Sequence, residues 1–260
     1  MIHADRNDRL LRWYEESQRD LPWRRSSDPY EVLVSEVMLQ QTQVERVIPK
    51  FEHFMGTWST VEALASAETD DLLRAWSGLG YNTRAIRLRE SGRMIVANGW
   101  PDTLAGLKML PGVGPYTASA IGSIAFGMEV PATDTNVRRI LSRWAGEPLI
   151  GRSLDAYASE CLGSPAGDWN QSLMDLGSTI CSPSQPKCSL CPVASWCADP
   201  SVYEPPPKQT RFEGSHRQLR GALLRAHLAG KDLTSAGQGL GRSLEETTTA
   251  IDALKDEGLI

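Results

Sequence analysis

The chain has 260 residues, of which 41% are hydrophobic and 23% charged, and its formal net charge is −5. This length allows one large or two modest domains, and the composition is ordinary for a soluble globular protein. Residues 1–17 are polar and charged, so we expect no secretory signal, and no apolar run is long enough to cross a bilayer. We therefore expect a cytoplasmic protein with no membrane partner.

The pattern of apolar and capping residues predicts an all-α chain of helices joined by short loops, without strand alternation of any length. Asp28 is expected to cap one helix, and Asp134 and Asp168 stand where the N-caps of two later helices should lie. Ser59 and Glu62 fit a capping box. The body of the chain is therefore predicted to be mostly helical.

A basic helix is predicted from about residue 82 to residue 97, after Gly78 and Gly80 end the preceding helix. A local basic stripe can bind nucleic acid even when the whole chain is acidic. A solvated helix face is the simpler interpretation of such a stripe. The two stripes of the chain consist of Arg84, Arg87, Arg89 and Arg93, and of Arg138, Arg139 and Arg143.

The last part of the chain is predicted to form a separate module. Pro205, Pro206 and Pro207 cannot continue a helix, so residues 201–214 are expected to be a linker. Residues 215–260 should then form a small C-terminal winged-helix-like module. Its three short helices are predicted at about 215–228, 232–237 and 243–257.

Four of the five cysteines lie within one short segment, spaced C-x6-C-x2-C-x5-C. In an intracellular chain, clustered cysteines indicate a metal site rather than disulfides. Zinc usually binds two CxxC pairs set well apart, whereas only one pair here has the two-residue gap. The spacing therefore favours a structural [4Fe–4S] cluster, and leaves zinc or four unrelated buried cysteines as alternatives. The four residues are Cys181, Cys188, Cys191 and Cys197.

Residues 110–118, LPGVGPYTA, predict a tight turn that enters a helix. Gly112 and Gly114 allow close backbone approach, and Pro115 suits the first helical turn. Free amides at such a helix start can face an anion, for which a DNA phosphate is the natural candidate. Taken alone, the same motif is more often an ordinary corner between two helices.

Three features occur together here: the glycine hairpin, an aspartate about twenty residues later, and the four-cysteine loop. In this combination the sequence, from about residue 21 to residue 197, resembles the endonuclease III and MutY superfamily of helix-hairpin-helix DNA glycosylases. Residues 35–44, SEVMLQQTQV, resemble the MutY type in particular, as do LPWR at 21–24 and GLGY at 78–81.

The resemblance implies an all-α, two-lobed core with double-stranded DNA in the cleft between the lobes. A helical barrel with the helix-hairpin-helix is expected at 25–134. The iron–sulfur lobe should combine 1–24 with 135–200. The protein is expected to be a monomer that associates with the nucleoid.

Position 116 separates members of the superfamily. Lyases of the endonuclease III type carry a lysine there, which forms a Schiff base with the sugar. This chain has Tyr116, which implies a monofunctional glycosylase. Thymine glycosylases that act on G·T mismatches also carry tyrosine at this position, but they lack the pair Gln40 and Gln41.

Breaking a purine N-glycosidic bond requires a proton on the leaving base and a negative charge near the sugar cation. Glu36 lies in an apolar stretch, where burial would raise its pKa and favour a proton donor. The resemblance implies that Glu36 protonates adenine and activates water, while Asp134 stabilises the cation with support from Tyr116 and Asn136. Without the joint motif, Glu36 would be an exposed helix residue and Asp134 only an N-cap.

Because duplex DNA hides the reacting atom, the base must be flipped out of the helix. Gln41 and Tyr81 match the family positions that fill or read the vacated stack. Trp23 and Arg24 match the strip that lines the adenine pocket. A partly buried aromatic residue after a glycine turn is the simpler interpretation of Tyr81.

The sequence departs from the MutY type at two places. Thr135 stands where a glycine is usual, and threonine requires ordinary backbone angles. The tail is too short for the MutT-like domain that recognises 8-oxoguanine, which leaves the preference for the opposite base open.

The expected function is excision of adenine mispaired with 8-oxoguanine or guanine, in DNA with mismatched or oxidised base pairs. One alternative is a thymine or uracil glycosylase for G·T and G·U mismatches. The other is a catalytically silent iron–sulfur protein that binds DNA structures.

Overall fold

The computed structural model describes residues 2–203, 205 and 211–260, and within them the chain forms α-helices, short 3-10 turns and no strand. The predicted all-α class is therefore confirmed. None of the helices in this part of the chain is long and apolar enough to span a membrane. The helices are α1 (Ile2–Ser17), α2 (Pro29–Leu39), α3 (Val44–Thr57), α4 (Val61–Ala65), α5 (Thr69–Trp76), α6 (Thr83–Asn98), α7 (Leu104–Lys108), α8 (Pro115–Ala125), α9 (Thr135–Ala145), α10 (Gly151–Cys161), α11 (Ala166–Thr179), α12 (His216–Leu228), α13 (Leu233–Gln238) and α14 (Leu244–Asp256).

Two predicted N-caps are confirmed. The Oδ1 atom of Asp28 accepts hydrogen bonds from the backbone amides of Tyr30 (2.7 Å) and Glu31 (3.3 Å) at the start of α2. The Oδ1 atom of Asp134 accepts one from the amide of Val137 at the start of α9, at 2.7 Å. These bonds satisfy amides that have no partner inside the helix.

Two other predicted helix starts are wrong. Thr60, not Ser59, caps α4 and accepts a hydrogen bond from the amide of Ala63. At α11 the N-cap position is Pro165, so Asp168 lies inside the first turn, where a negative charge still suits the helix dipole. Both errors are small shifts along the chain, because several residues near each helix start are able to serve as caps.

One compact unit comprises Met1–Val37 and Trp100–Pro206. In it α11 packs against α1, α8 and α9. Gly167 permits the contact with α8, since a Cβ atom there would lie 2.9 Å from the carbonyl oxygen of Ser123. The apolar core around α9 and α11 includes Leu10, Val137, Ile140, Leu141, Trp169, Leu173 and Leu176.

The second compact unit comprises Met38–Gly99 and Pro207–Ile260. In it α4 packs against α6, α3 and α6 pack against α5, and α12 to α14 pack against one another. The three C-terminal helices begin and end within one or two residues of their predicted bounds. In the predicted linker, Glu204 and residues 206–210 lie outside the described residues. The domain boundaries proposed from the sequence remain a prediction.

Four arginines of the two basic stripes are buried rather than solvated. Their guanidinium groups donate hydrogen bonds to backbone carbonyl groups, which explains how these cations can leave water. At these four positions, the prediction of a solvated helix face and the prediction of a DNA-binding surface are both wrong. The buried residues are Arg84, Arg89, Arg139 and Arg143, whereas Arg87 and Arg93 are exposed.

Candidate active site and cysteine loop

Glu36 is a buried carboxyl group on α2, with 6% of its surface exposed. Its pKa is raised from 4.5 to about 7, and burial is the largest cause; a hydrogen bond with Tyr116 lowers the pKa, the charge of Asp134 raises it, and the charge of Arg24 lowers it. Its Oε2 atom is buried and has no hydrogen-bond partner among the described residues. At neutral pH this group therefore holds a proton for a substantial fraction of the time and has one oxygen available for a ligand.

Tyr116 lies in the first turn of α8, directly after Pro115. Its hydroxyl group hydrogen-bonds Glu36 and also lies 3.7 Å from the sulfur of Met174. Burial and the nearby carboxyl groups of Glu36 and Asp134 raise the pKa of Tyr116 well above its ordinary value. The phenol therefore stays protonated and acts as a hydrogen-bond donor.

Asp134 uses both carboxylate oxygens. Besides the capping bond of Oδ1, its Oδ2 atom accepts a hydrogen bond from Nδ2 of Asn136 at 2.9 Å. Thr135 occupies the first position of α9 with helical backbone angles, so the departure from glycine introduces no positive φ at this position. The charge of Asp134 acts on both Glu36 and Tyr116.

Asn136 connects Asp134 to the start of the cysteine loop. Its Oδ1 atom accepts a hydrogen bond from Nη2 of Arg139 at 3.0 Å, and Nε of Arg139 donates to the carbonyl oxygen of Cys181 at 2.9 Å. The fit is close, because a Cβ atom on Gly177 would lie 2.7 Å from that of Asn136. A continuous hydrogen-bonded path therefore runs from Asp134 to the loop.

The cysteine loop forms one side of a cavity of about 80 Å³. All four predicted ligands line it: Cys181, Cys188, Cys191 and Cys197. Among the described residues, no three His, Cys, Asp or Glu side chains are close enough to share one metal ion. Four thiolates are the donor set that a [4Fe–4S] cluster requires, one for each iron.

Arg143 supports the loop from α9 and is 1% exposed. Its Nη1 atom lies 3.0 Å from Sγ of Cys181 and donates to the carbonyl oxygen of Ser182 at 2.9 Å. A buried cation therefore lies beside one of the four predicted ligands. This role could not be predicted from the sequence, because an arginine in a basic stripe is ordinarily solvated.

Trp23 and Arg24 lie in a 3-10 turn, Pro22–Arg24; Trp23 is buried, and the side chain of Arg24 is 7% exposed. Arg24 binds Asp175 through two parallel bonds, Nη1 to Oδ2 at 2.6 Å and Nη2 to Oδ1 at 2.8 Å. Arg19 adds a third, from Nε to Oδ1 at 2.7 Å. Burial alone would raise the pKa of Asp175, but the two arginines lower it below its ordinary value.

Asp175 is a site residue that the sequence analysis missed. It is 1% exposed and fixes the guanidinium plane of Arg24, whose charge acts on Glu36. One signal was available: the residue lies two positions after Leu173 and directly before Leu176, on the apolar face of α11. A carboxylate on such a face requires a buried cation as its partner.

Gln41 and Tyr81 lie in two loops of the second unit. Both have positive φ angles, 55° and 46°. Tyr81 is 42% exposed.

The hairpin glycines lie in the first unit, between α7 and α8. Gly112 has a φ of 81°, which favours glycine. Gly114 has ordinary angles, and a Cβ atom there would meet nothing within 4 Å.

Comparison with known proteins gives one consistent family. The family described as "HhH-GPD superfamily base excision DNA repair protein" matches residues 34–149. An adenine DNA glycosylase of Mycobacterium tuberculosis is 42% identical over 231 residues, which cover 83% of this chain and 76% of that protein. The adenine DNA glycosylase of Homo sapiens is 45% identical over 208 residues, covering 72% of this chain and 38% of the human protein.

Solved structures agree with the fold. A thermostable thymine-DNA glycosylase matches with a TM-score of 0.69 and 28% identity, covering 74% of this chain and 93% of that one. Endonuclease III in a non-covalent DNA complex matches with a TM-score of 0.63 and 20% identity, covering 75% of this chain and 92% of that one. The helix-hairpin-helix glycosylase fold expected from the sequence is therefore confirmed.

Proposed function

This chain belongs to the MutY-type branch of the HhH-GPD superfamily of base excision DNA repair proteins, and we propose that it excises adenine mispaired with 8-oxoguanine or guanine in duplex DNA. The observation that carries this proposal is the state of Glu36. A buried carboxyl group with a pKa of about 7 and one unpartnered oxygen is suited to give a proton to a leaving base.

In the proposed reaction, protonated Glu36 donates its proton to a ring nitrogen of the adenine. The bond between the base and C1′ of the sugar then breaks, and its electron pair leaves with the base. Asp134 stabilises the resulting oxocarbenium ion through its negative charge. Glu36, now a carboxylate, takes a proton from a water molecule that attacks C1′. The products are free adenine and an abasic site, and Glu36 is protonated again.

Hydrogen bonds hold both carboxyl groups for these roles. Tyr116 fixes the carboxyl plane of Glu36, and Asn136 fixes that of Asp134. Tyr116 and Asn136 carry no primary amine that could form a Schiff base with the sugar. The proposed enzyme is therefore monofunctional.

DNA binding is proposed to use elements of both units. In the first unit, the hairpin at Gly112 and Gly114 offers backbone amides at the start of α8 to a phosphate. In the second unit, Gln41 and Tyr81 replace the extruded base in the stack. Trp23 and Arg24 are proposed to line the adenine pocket, where Asp175 holds the arginine in place.

The four cysteines of the loop would hold a [4Fe–4S] cluster, which would supply structural cross-linking of a segment with little apolar content. Arg143 and Arg139 bind the loop from α9 and keep the cysteine backbone in place. Arg139 also connects the loop to Asp134 through Asn136. We also propose that the protein is a monomer located in the cytoplasm with the nucleoid.

A base-release assay on a panel of mismatches tests this proposal. Single-turnover release should be observed for adenine opposite 8-oxoguanine and opposite guanine, and the ratio of the two rates gives the opposite-base preference. The likeness to a thymine-DNA glycosylase makes thymine and uracil opposite guanine the necessary comparison. Preferred release of a pyrimidine would replace the proposed function with that one. Binding without any base release would identify a DNA-structure-binding protein.

A further inference from the structure

Among the described residues other than glycine, only Gln41 and Tyr81 have φ angles in the left-handed region. This conformation brings Cβ close to the backbone and is unfavourable for residues other than glycine, asparagine and aspartate. It persists where the surrounding structure enforces it, and it is common at functional sites. Gln41 lies between α2 and α3, and Tyr81 lies between α5 and α6. Both loops belong to the second unit.

A single buried side chain, that of Arg84, hydrogen-bonds both loops. Arg84 lies in the first turn of α6 and is 8% exposed. The acceptors of Nη1 are the carbonyl oxygens of Met38 (3.1 Å) and Gln40 (2.7 Å). The acceptors of Nη2 are the carbonyl oxygens of Leu79 (3.1 Å) and Gly80 (3.0 Å), and Oγ1 of Thr42 (3.2 Å).

Two of these acceptors have a special position. The carbonyl group of Gln40 directly precedes Gln41, and that of Gly80 directly precedes Tyr81. The angle φ describes rotation about the N–Cα bond that follows such a peptide group. Fixing the direction of the preceding carbonyl therefore restricts the φ angle of the strained residue. One planar guanidinium group does so at both residues.

From this arrangement we infer that Arg84 is a positioning residue, which holds Gln41 and Tyr81 in the left-handed conformation required to enter the DNA stack. The inference rests on the proposed function, since it assumes that these two residues act on DNA. Arg84 itself does not contact the reacting atoms. Its effect is on base extrusion, the step that precedes cleavage of the glycosidic bond.

Lysine cannot replace arginine in this role. The guanidinium group presents its donors in a rigid plane, with Nη1 directed to one pair of acceptors and Nη2 to the others. Its carbon Cζ also lies 5.4 Å from the ring centre of Trp76 and 5.8 Å from that of Tyr81. A lysine ammonium group is one compact charge and is able to bind one loop but not both.

The experiment compares Arg84→Lys with a matched control, Arg89→Lys. Arg89 lies on the same helix, is equally buried, and donates to the carbonyl oxygen of Ala67 (3.1 Å) and Oγ1 of Thr69 (2.9 Å). Its other charged neighbour is Glu90, and none of these three partners lies in a strained loop. Each protein is given two substrates: a duplex with one adenine mispair, and a strand with the same adenine in an unpaired bubble. Single-turnover release of adenine is measured for both.

We expect Arg84→Lys to lose about 10²-fold in excision from the duplex and less than about threefold from the bubble, where the base is already unstacked. Arg89→Lys should keep the parental rates on both substrates. With 2-aminopurine at the target position, the fluorescence increase on binding should disappear only in Arg84→Lys. The inference is wrong if Arg84→Lys excises from duplex at the parental rate, loses both activities equally, or keeps the fluorescence increase.

Melting temperatures and a milder variant control for misfolding. Thr42→Val removes one acceptor of Arg84 and leaves its four carbonyl bonds, so it should show a smaller loss that is again confined to the duplex. If Arg84→Lys does not fold, an unchanged duplex rate in Thr42→Val overturns the inference. If the parent releases no adenine from either substrate, the proposed function fails, while the fluorescence measurement on bound DNA still tests Arg84.

Discussion

The hydroxyl group of Tyr116 hydrogen-bonds the carboxyl group of Glu36, and this contact opposes the effect of burial, so that the net pKa of Glu36 is about 7. The tyrosine is thus more than a replacement for a lysine nucleophile. It offsets part of the cost of burying Glu36 and keeps the pKa near neutrality, where one group is able to serve first as an acid and then as a base.

Glu36→Gln should remove nearly all excision, by about 10²–10⁴-fold, because an amide cannot deliver a proton to the departing adenine. Affinity for mismatched duplex should remain close to that of the parent, since phosphate contacts supply most of it. Single-turnover release and a binding titration measure the two properties. Near-parental release from a folded variant would show that Glu36 is not the acid.

The same substitution should change stability in a pH-dependent manner. The folded-state pKa of Glu36, about 7, lies above its ordinary value of 4.5, so the folded protein binds more protons between these values. The free energy of unfolding of the parent therefore falls as pH rises through this window, and the loss is complete above it. Glutamine avoids this loss. The melting temperature of Glu36→Gln relative to the parent should thus increase from about pH 5 to about pH 8, and a constant difference would contradict the raised pKa.

Tyr116→Phe should move the pH dependence of excision. In the parent, the rate should fall as pH rises through about 7, because the acid is then deprotonated. Loss of the tyrosine hydrogen bond removes an effect that lowers the pKa of Glu36, so the fall should shift to higher pH. A rate profile over pH measures the shift. An unchanged or more acidic profile would show that Tyr116 does not act on Glu36.

Asp134→Asn should abolish excision with little effect on folding. Removing the charge leaves the sugar cation unstabilised, and fixed charges of this kind contribute a factor of about 10² or more. Asparagine caps helices as well as aspartate, so α9 should keep its start and the melting temperature should change little. The variant should bind DNA at least as well as the parent, having lost a negative charge. Retained excision would exclude a role for this carboxylate in the reaction.

The purified protein should be brown and contain about four irons per chain. Metal analysis after anaerobic preparation measures this content directly. Cys161→Ser provides the matched control, because this fifth cysteine lies outside the loop and should leave the iron content unchanged. Each serine substitution at a loop cysteine should lower it. Stoichiometric zinc without iron would contradict the cluster.

The sequence by itself determined what depends on local spacing. Asp28 and Asp134 cap helices because capping involves only the next three residues. The three C-terminal helices followed from the same kind of local signal. Apolar neighbours in the same helix were sufficient to predict the burial of Glu36 and the direction of its pKa shift. The spacing of the four cysteines favoured a cluster, and the structure places all four around one cavity.

Only the tertiary structure decided which charged residues are buried and what they bind. Arg84, Arg139 and Arg143 belong to basic stripes in the sequence, yet each crosses to carbonyl groups of a distant loop. Asp175 pairs with Arg24, which lies 151 residues earlier in the sequence. A long side chain is solvated unless partners are brought to it, and the partners here come from other elements. The physical reason is that burying a charge costs much free energy unless hydrogen-bond partners are buried beside it. Which partners meet each charge depends on the fold as a whole.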